Sequence, residues 1–167
     1  MSFTGKAALA SAAQIKNDGF WPELELGDLL EKYRIPAEYE NGVIETGLIM
    51  AMIRTNDSLN AVKLAVIALG HANLSAYTTA NVDLMDDQPV LNHHYQHAVF
   101  CKAKAELLPQ LNSLNRKPNA ENAAKESDEQ QQYWLDQAQS SIKSIFKKVL
   151  PDDTTVSSMA NVHISLL

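Results

Sequence analysis

Cysteine is nearly absent from this chain, with Cys101 alone among 167 residues. A lone thiol excludes an intramolecular disulfide framework, fits a reducing compartment and supplies no CxxC half of a zinc site. Glycine is scarce too: the six residues are scattered, and neither GxxxxGK[ST] nor GxGxxG occurs, which removes the nucleotide-binding loops built on those spacings. There is no GxSxG elbow for serine hydrolysis. No apolar run approaches the ~20 residues needed to cross a bilayer. Residues 1–5 lack the basic and hydrophobic regions of a secretory leader, so a soluble cytoplasmic protein is the expectation. Basic charge is also in short supply, with 14 Lys and Arg against 20 Asp and Glu and a net charge of -6. Phosphate affinity needs clustered cations that displace counterions, so broad binding to DNA or an anionic membrane is not expected, although DNA can pass nearby.

What the chain has is apolar content, 46% of its residues, much of it at helical spacing. That suffices for one domain with a true core and not for two. An alanine-rich stretch over residues 6–16, behind a Thr4 cap, reads as a short helix with little to bury. Phe20, Trp21 and Pro22 introduce a small amphipathic helix marked by Leu24, Leu29, Leu30 and Tyr33 and stopped by Pro36. Ile44, Leu48, Ala51, Met52, Leu59, Val62, Val66 and Leu69 then recur at steps of three and four up to Gly70, a C-cap glycine. This is one long helix, or two with a break at the weakly helical Asn56, Asp57 and Ser58.

Residues 71–88 read as looser. Pro89 suits a first helical turn, and Leu91, Tyr95, Ala98, Cys101, Ala105 and Leu108 trace one face of the next helix, which makes Cys101 a small core residue instead of a reactive thiol. Residues 112–128 read as a polar, exposed connection containing Pro118. Ser127 to Gln130 has capping-box spacing, with a helix start as early as Asn119 as the alternative. Trp134, Ala138, Ser141, Ile145 and Val149 form the last stripe, followed by Lys143, Lys147 and Lys148 at the end the helix dipole favours, and Pro151 stops it. The expected fold class is all-α, a bundle of four or five helices with an extended, strand-like C-terminal tail. Its expected divisions are a mobile segment over residues 1–19, a helical connector domain over 20–150 and a docking tail over 151–167.

Candidate chemistry is thin. His93, His94 and His97 lie close to Asp86 and Asp87, and on a helix positions 93 and 97 share a face. Two imidazoles make half a tetrahedral metal site and the Glu of HExxH is missing, so a solvated or interfacial helix start is the plain reading. A small helical regulatory or metal-sensing module using His93 and His97 is the alternative function. No catalytic residue, cofactor or resident metal is expected. The apolar alternation of Val162, Ile164, Leu166 and Leu167, with no charge after Asp153, reads instead as a strand that pairs with something, and the helical remainder offers no sheet to receive it.

Taken in order, these pieces resemble the head-completion proteins of contractile-tailed phages, the GpL family, over residues 20–167. Phe20-Trp21-Pro22 and the helix running to Arg34 are similar to the family's aromatic entry and first helix. Residues 44–59, with Met52, Asn56 and Leu59 in step, resemble its next helix. Tyr95-Gln96-His97-Ala98-Val99, continuing through Ala103 and Ala105 to Leu107, resembles its Tyr-x-Arg-Ala-Val helix. A Trp-bearing helix from Trp134 and the apolar residues 162–167 complete the order. Val43 and His97 stand where the family tends to carry Arg, and the first helix here is acidic instead of basic.

The resemblance implies a virion component and not an enzyme. It implies a helical head-to-tail connector that binds the portal protein as a ring, stabilises packaged DNA without reading its sequence, and offers a platform to a tail-side neck or tail terminator protein. Its place would be the neck of the virion, and the host cytoplasm before assembly. On that reading Val162, Ile164, Leu166 and Leu167 dock on the portal, and Arg34, Arg54 and His97 are expected at contacts between subunits.

Overall fold

Two long helices laid against each other carry the rest of the molecule. The computed structural model describes residues 13–35, 40–114 and 120–150, with side chains described outside residues 110–127. In chain order its elements are β1 (Gln14–Ile15), β2 (Leu24–Glu25), α1 (Leu26–Lys32), α2 (Asn41–Ser58), α3 (Asn60–Ala68), α4 (Leu74–Ala80), β3 (Leu84–Met85), β4 (Gln88–Pro89), α5 (Val90–Leu114) and α6 (Ala120–Val149). The all-α expectation holds, with the strands confined among the described residues to two minimal antiparallel pairs, β1 with β2 and β3 with β4. Among the described residues six helices stand where four or five were expected, because the run over residues 44–69 is divided and residues 71–88 hold structure of their own.

α5 is the central element, packed most extensively on α6 and, on another side, on α2. Leu91, Tyr95, Ala98, Cys101, Ala105 and Leu108 are all buried, as their spacing predicts. Val99, Phe100, Ala103 and Leu107 are buried as well. A single-stripe reading misses this second face because a helix with neighbours on two sides hides more than half its circumference. Small residues let those neighbours come close. A Cβ on Gly47 of α2 would lie 3.1 Å from Leu107 Cδ2, so a side chain there would have to push Leu107 back by a few tenths of an ångström.

Local chemistry explains most element boundaries. The division between α2 and α3 falls at Leu59, just past the polar stretch that predicted it. There the Thr55 and Ser58 hydroxyls donate at 2.7 Å to the Ala51 and Arg54 carbonyls, competing with the helix's own N–H donors. Gly70, at φ +88°, closes α3 in a Schellman motif, with its N–H on Ile67 O and the His71 N–H on Val66 O. Asn73 caps α4 by accepting from the Ala76 N–H at 2.8 Å. The β3–β4 turn is made by Asp86 and Asp87, both at positive φ. Pro89 sits just ahead of α5, whose first residue is Val90.

Three local readings change. The helix read over residues 6–16 reaches residues 13–16, which are extended: β1 pairs with β2 and the Leu26 N–H donates to Ala13 O, a tertiary pairing that overrides alanine's helix propensity. Residues 1–12 lie outside the described range. The polar connection read over residues 112–128 is mostly helix, since α5 runs to Leu114 and α6 begins at Ala120, beside the alternative start at Asn119. Ser127 to Gln130 therefore lies inside α6 and not at its start.

Pro109 stands within α5. Lacking an N–H, it leaves the Ala105 carbonyl without its helical donor. Gln131 of α6 supplies one, its Nε2 donating to Ala105 O at 3.1 Å, so the defect in one helix becomes a tie to the next. Gln131→Ala is expected to lower stability in urea unfolding by about 1 kcal/mol. In a Pro109→Ala background, where an N–H reclaims the carbonyl, the same change should cost about 0.3 kcal/mol or less. Equal losses in both backgrounds would refute this account.

Candidate functional site

Three of the sequence motifs, those of Trp21, Asn56 and Tyr95, come from distant segments and meet at one place. Asn17 Nδ2 donates to the Tyr95 hydroxyl at 2.7 Å, that hydroxyl donates to Asn56 Oδ1 at 2.7 Å, and Asn56 Nδ2 donates to Asn17 Oδ1 at 2.8 Å. Each member both donates and accepts, so the three bonds form a closed ring. Asn17 Nδ2 also reaches Pro22 O at 3.0 Å. The buried Trp21 ring lies flat on Tyr95, with centroids 4.9 Å apart and planes 3° from parallel, and Phe20 meets Trp21 edge-on. Burial pushes the Tyr95 phenol above its usual range, which keeps the hydroxyl protonated and able to donate.

The turn that delivers Phe20 and Trp21 is held by Asp18. Its Oδ1 accepts from the Phe20 and Trp21 N–H groups at 3.0 and 3.2 Å, and its Oδ2 takes the Lys63 ammonium at 2.6 Å, tying the turn to α3. Burial pushes this carboxyl up, but the Lys63 bond and the two backbone N–H groups outweigh it and hold the group below its usual value.

A second polar cluster joins α5, α6 and the end of α1. His97 Nδ1 and Ser141 Oγ share a 2.8 Å hydrogen bond, and Cys101 Sγ lies 3.5 Å from His97 Nε2. Burial pushes the Cys101 thiol up to about 11, opposed by Tyr33, so it is protonated at neutral pH and unsuited to nucleophilic work. The Tyr33 backbone carbonyl accepts from Lys104 Nζ at 2.6 Å, and that ammonium sits 4.4 Å from the centre of the Trp134 ring. His97 thus serves an internal contact between α5 and α6. His93 turns elsewhere: its Nε2 bonds Met85 O at 2.8 Å and fastens the β3–β4 hairpin to α5. An open cleft of about 460 Å³ does run past His93, His94 and His97. Among the described residues, however, no three His, Cys, Asp or Glu side chains converge as metal ligands.

Arg34 is exposed at φ +50°, in the left-handed position of a Schellman cap in which the Ile35 N–H donates to Leu30 O. Arg54 is paired with Glu106 across α2 and α5, above an open groove of about 470 Å³ lined by Val43, Gly47 and Met50 among others. Val162, Ile164, Leu166 and Leu167 lie outside the described residues. Sequence reading found Trp21, Asn56 and Tyr95 as motif residues but missed Asn17 and Glu106. Asn17 is 78 positions from Tyr95 and its one local sign was the turn-forming Asn-Asp-Gly run; nothing in a single sequence marked Glu106 as the partner of Arg54.

Compared with known proteins, the chain matches the family model described as phage head completion protein (GPL) over residues 15–149, a span that contains the whole hydrogen-bonded ring. It is 26% identical over 115 residues to a protein of Haemophilus phage HP1 (strain HP1c1) named "Probable head completion/stabilization protein". That alignment covers 68% of this chain and 73% of the relative. No solved structure matches.

Tyr95→Phe removes the central member of the ring and strands an Asn17 donor and an Asn56 acceptor. The expected loss is about 1–3 kcal/mol in chemical denaturation, with near-native helicity retained, and a variant as stable as wild type would contradict the ring's structural role. The imidazoles predict a pH response. Burial lowers His97, and burial followed by the charges of Lys148, His97 and His93 lowers His94 against the opposing Asp83. The folded state then binds fewer protons than the unfolded chain, so stability is fully present above the ordinary imidazole range and falls as pH drops through it, until the folded-state values are reached. Melting temperatures between about pH 7.5 and about pH 5 should decline, and His97→Gln should flatten the slope. An unchanged slope in that variant would exclude His97 as a contributor.

Proposed function

The chain belongs to the phage head completion protein (GPL) family, whose members are structural components of the virion and not enzymes, and on that premise we propose that it joins the portal vertex as a ring, stabilises the packaged DNA and presents a platform to a tail-side neck or tail terminator protein. The observation that carries this reading is that the family's motif residues are already engaged inside the body. Tyr95 and Asn56 are bonded to each other and to Asn17, and the buried Trp21 ring is stacked on Tyr95. Contact with partners therefore falls to the exterior and to the apolar segment over residues 162–167.

The root of that segment supports a docking role. Lys148, in the last turn of α6, bonds Asp83 Oδ2 at 2.6 Å and fixes the end of the helix beside the β3–β4 hairpin. Val82, Leu84 and Met85 of that hairpin region are exposed, and Val82 is 72% accessible. Burying Val162, Ile164, Leu166 and Leu167 on a partner gains roughly 6–10 kcal/mol gross. Ordering the backbone of the six residues 162–167 costs ~6–12 kcal/mol, so one segment alone is close to neutral. A ring converts all later docking steps into intramolecular ones, and avidity then supplies the affinity. The net charge of -6 suits a ring through which DNA must slide, because few cations are available to hold phosphate.

Arg34 and Arg54, both exposed, are proposed at contacts between neighbouring copies. His97 is proposed to serve those contacts indirectly, by holding α5 on α6. Deleting residues 162–167 is expected to leave a folded helical body by circular dichroism and to abolish co-sedimentation with the portal. Co-sedimentation at the wild-type level would overturn the docking assignment.

A further inference from the structure

α2 and α3 carry two apolar faces. One, with Ile44, Leu48, Met52, Val62 and Val66, is buried against the body. The other is not. Met50, Ile53, Asp57, Asn60, Leu64 and Ile67 follow one another by alternating steps of three and four residues, the spacing of a coiled-coil seam, and all six are exposed. Ile53 is 47% accessible and Leu64 59%. The layer is also poor in charge: Glu45, Arg54 and Asp57 are the charged residues of α2 and Lys63 is that of α3. A helix apolar all round is normally enclosed, so this face lacks its cover among the described residues.

The order of the seam names the cover. Read from either end it runs apolar, apolar, polar, polar, apolar, apolar, centred between Asp57 and Asn60 at the division of α2 from α3. We propose that a second copy of this chain packs on it antiparallel about a twofold axis, setting Met50 on Ile67, Ile53 on Leu64 and Asp57 on Asn60 of the second copy. The Asn60 amide then donates to the Asp57 carboxylate, twice by symmetry. Parallel pairing in register would instead press Asp57 against Asp57. The twofold also brings Arg54 near Lys63, but each is already held by a carboxylate of its own molecule, Glu106 and Asp18. With the flanking Val43, Ile49 and Leu69, the seam exposes on the order of 600 Å² of apolar side chain, close to the ~800 Å² per partner of a standard interface.

A twofold pair points its copies in opposite directions, so it is the state of the free protein and must open before copies sit side by side in a ring. The inference stands apart from portal docking by residues 162–167, and either can fail without the other. Light scattering of the full chain at micromolar concentration should give a dimer. Ile53→Glu with Leu64→Glu should raise the dissociation constant roughly 100-fold or more, because every pairing is disrupted twice. Both side chains are exposed, so helicity should be kept, and Ile53→Glu alone, expected to weaken the dimer in the same direction, serves as the control if the double variant fails to fold. Oxidation of an Ile53→Cys, Leu64→Cys variant should link the two copies, whereas Ile53→Cys alone should not, since its equivalents lie ~16 Å apart along the helices. A wild-type monomer, a larger ring, a dimer indifferent to the glutamates, or cross-linking through Ile53→Cys alone would each overturn the proposal.

Discussion

The ring of Asn17, Tyr95 and Asn56 is the constraint on which the arrangement of the body depends. It joins the segment entering the fold, the end of α2 and the start of α5, and it does so in partial burial, where a hydrogen-bonding group left without a partner costs more than a made bond returns. Its geometry is demanding. The Tyr95 hydroxyl must reach both amides while its ring stays flat under Trp21, so the Asp18 turn, the end of α2 and α5 can take one mutual placement. Apolar packing supplies most of the stabilisation but tolerates sliding. The ring does not, and in that sense it selects the register in which the core packs.

From that point the structure reads outwards along α5. Its two buried faces organise α2 on one side and α6 on another, and the close approach at Gly47 shows how small residues set the spacing. The break in the helical ladder at Pro109 is offset by Gln131, so the irregularity itself holds α5 to α6. Lower down the same pair, His97 and Ser141 add a polar contact beside Cys101. These ties join the helices through polar contacts, and among the described residues Trp21 Nε1 and Asn92 Oδ1 are the buried side-chain atoms that find no partner.

That engagement shapes what a head completion protein of this sequence can do. Side chains bonded to one another inside the fold are not free to act on a substrate or to ligate a metal, so the chemistry moves to the outside. There the described residues carry apolar surface on the outer side of α2 and α3, around the β3–β4 hairpin and at Tyr133 and Leu135 of α6, together with an acidic balance of charge. Both features belong to a part that is assembled with others.

Local pattern determined a good deal without tertiary information. The all-α class, the stripes of α5 and α6, the Gly70 cap and the weakness at Asn56 to Ser58 were legible because each depends on residues within a few turns of one another. The family was legible as well, through the order of Trp21, Asn56, Tyr95 and Trp134. The tertiary structure decided the rest. Residues 13–15 are extended because residues 24–26 offer them a backbone partner, α5 hides a second face because α2 lies across it, and the polar residues 120–128 are helical as the opening of α6, which packs on α5. The role of the motif residues was likewise settled by contact: Asn17 meets Tyr95 across 78 positions, a pairing no periodicity encodes. Short-range spacing specifies which surfaces a helix offers, whereas which of them meet, and which stay open to another molecule, depends on long-range packing of the whole chain.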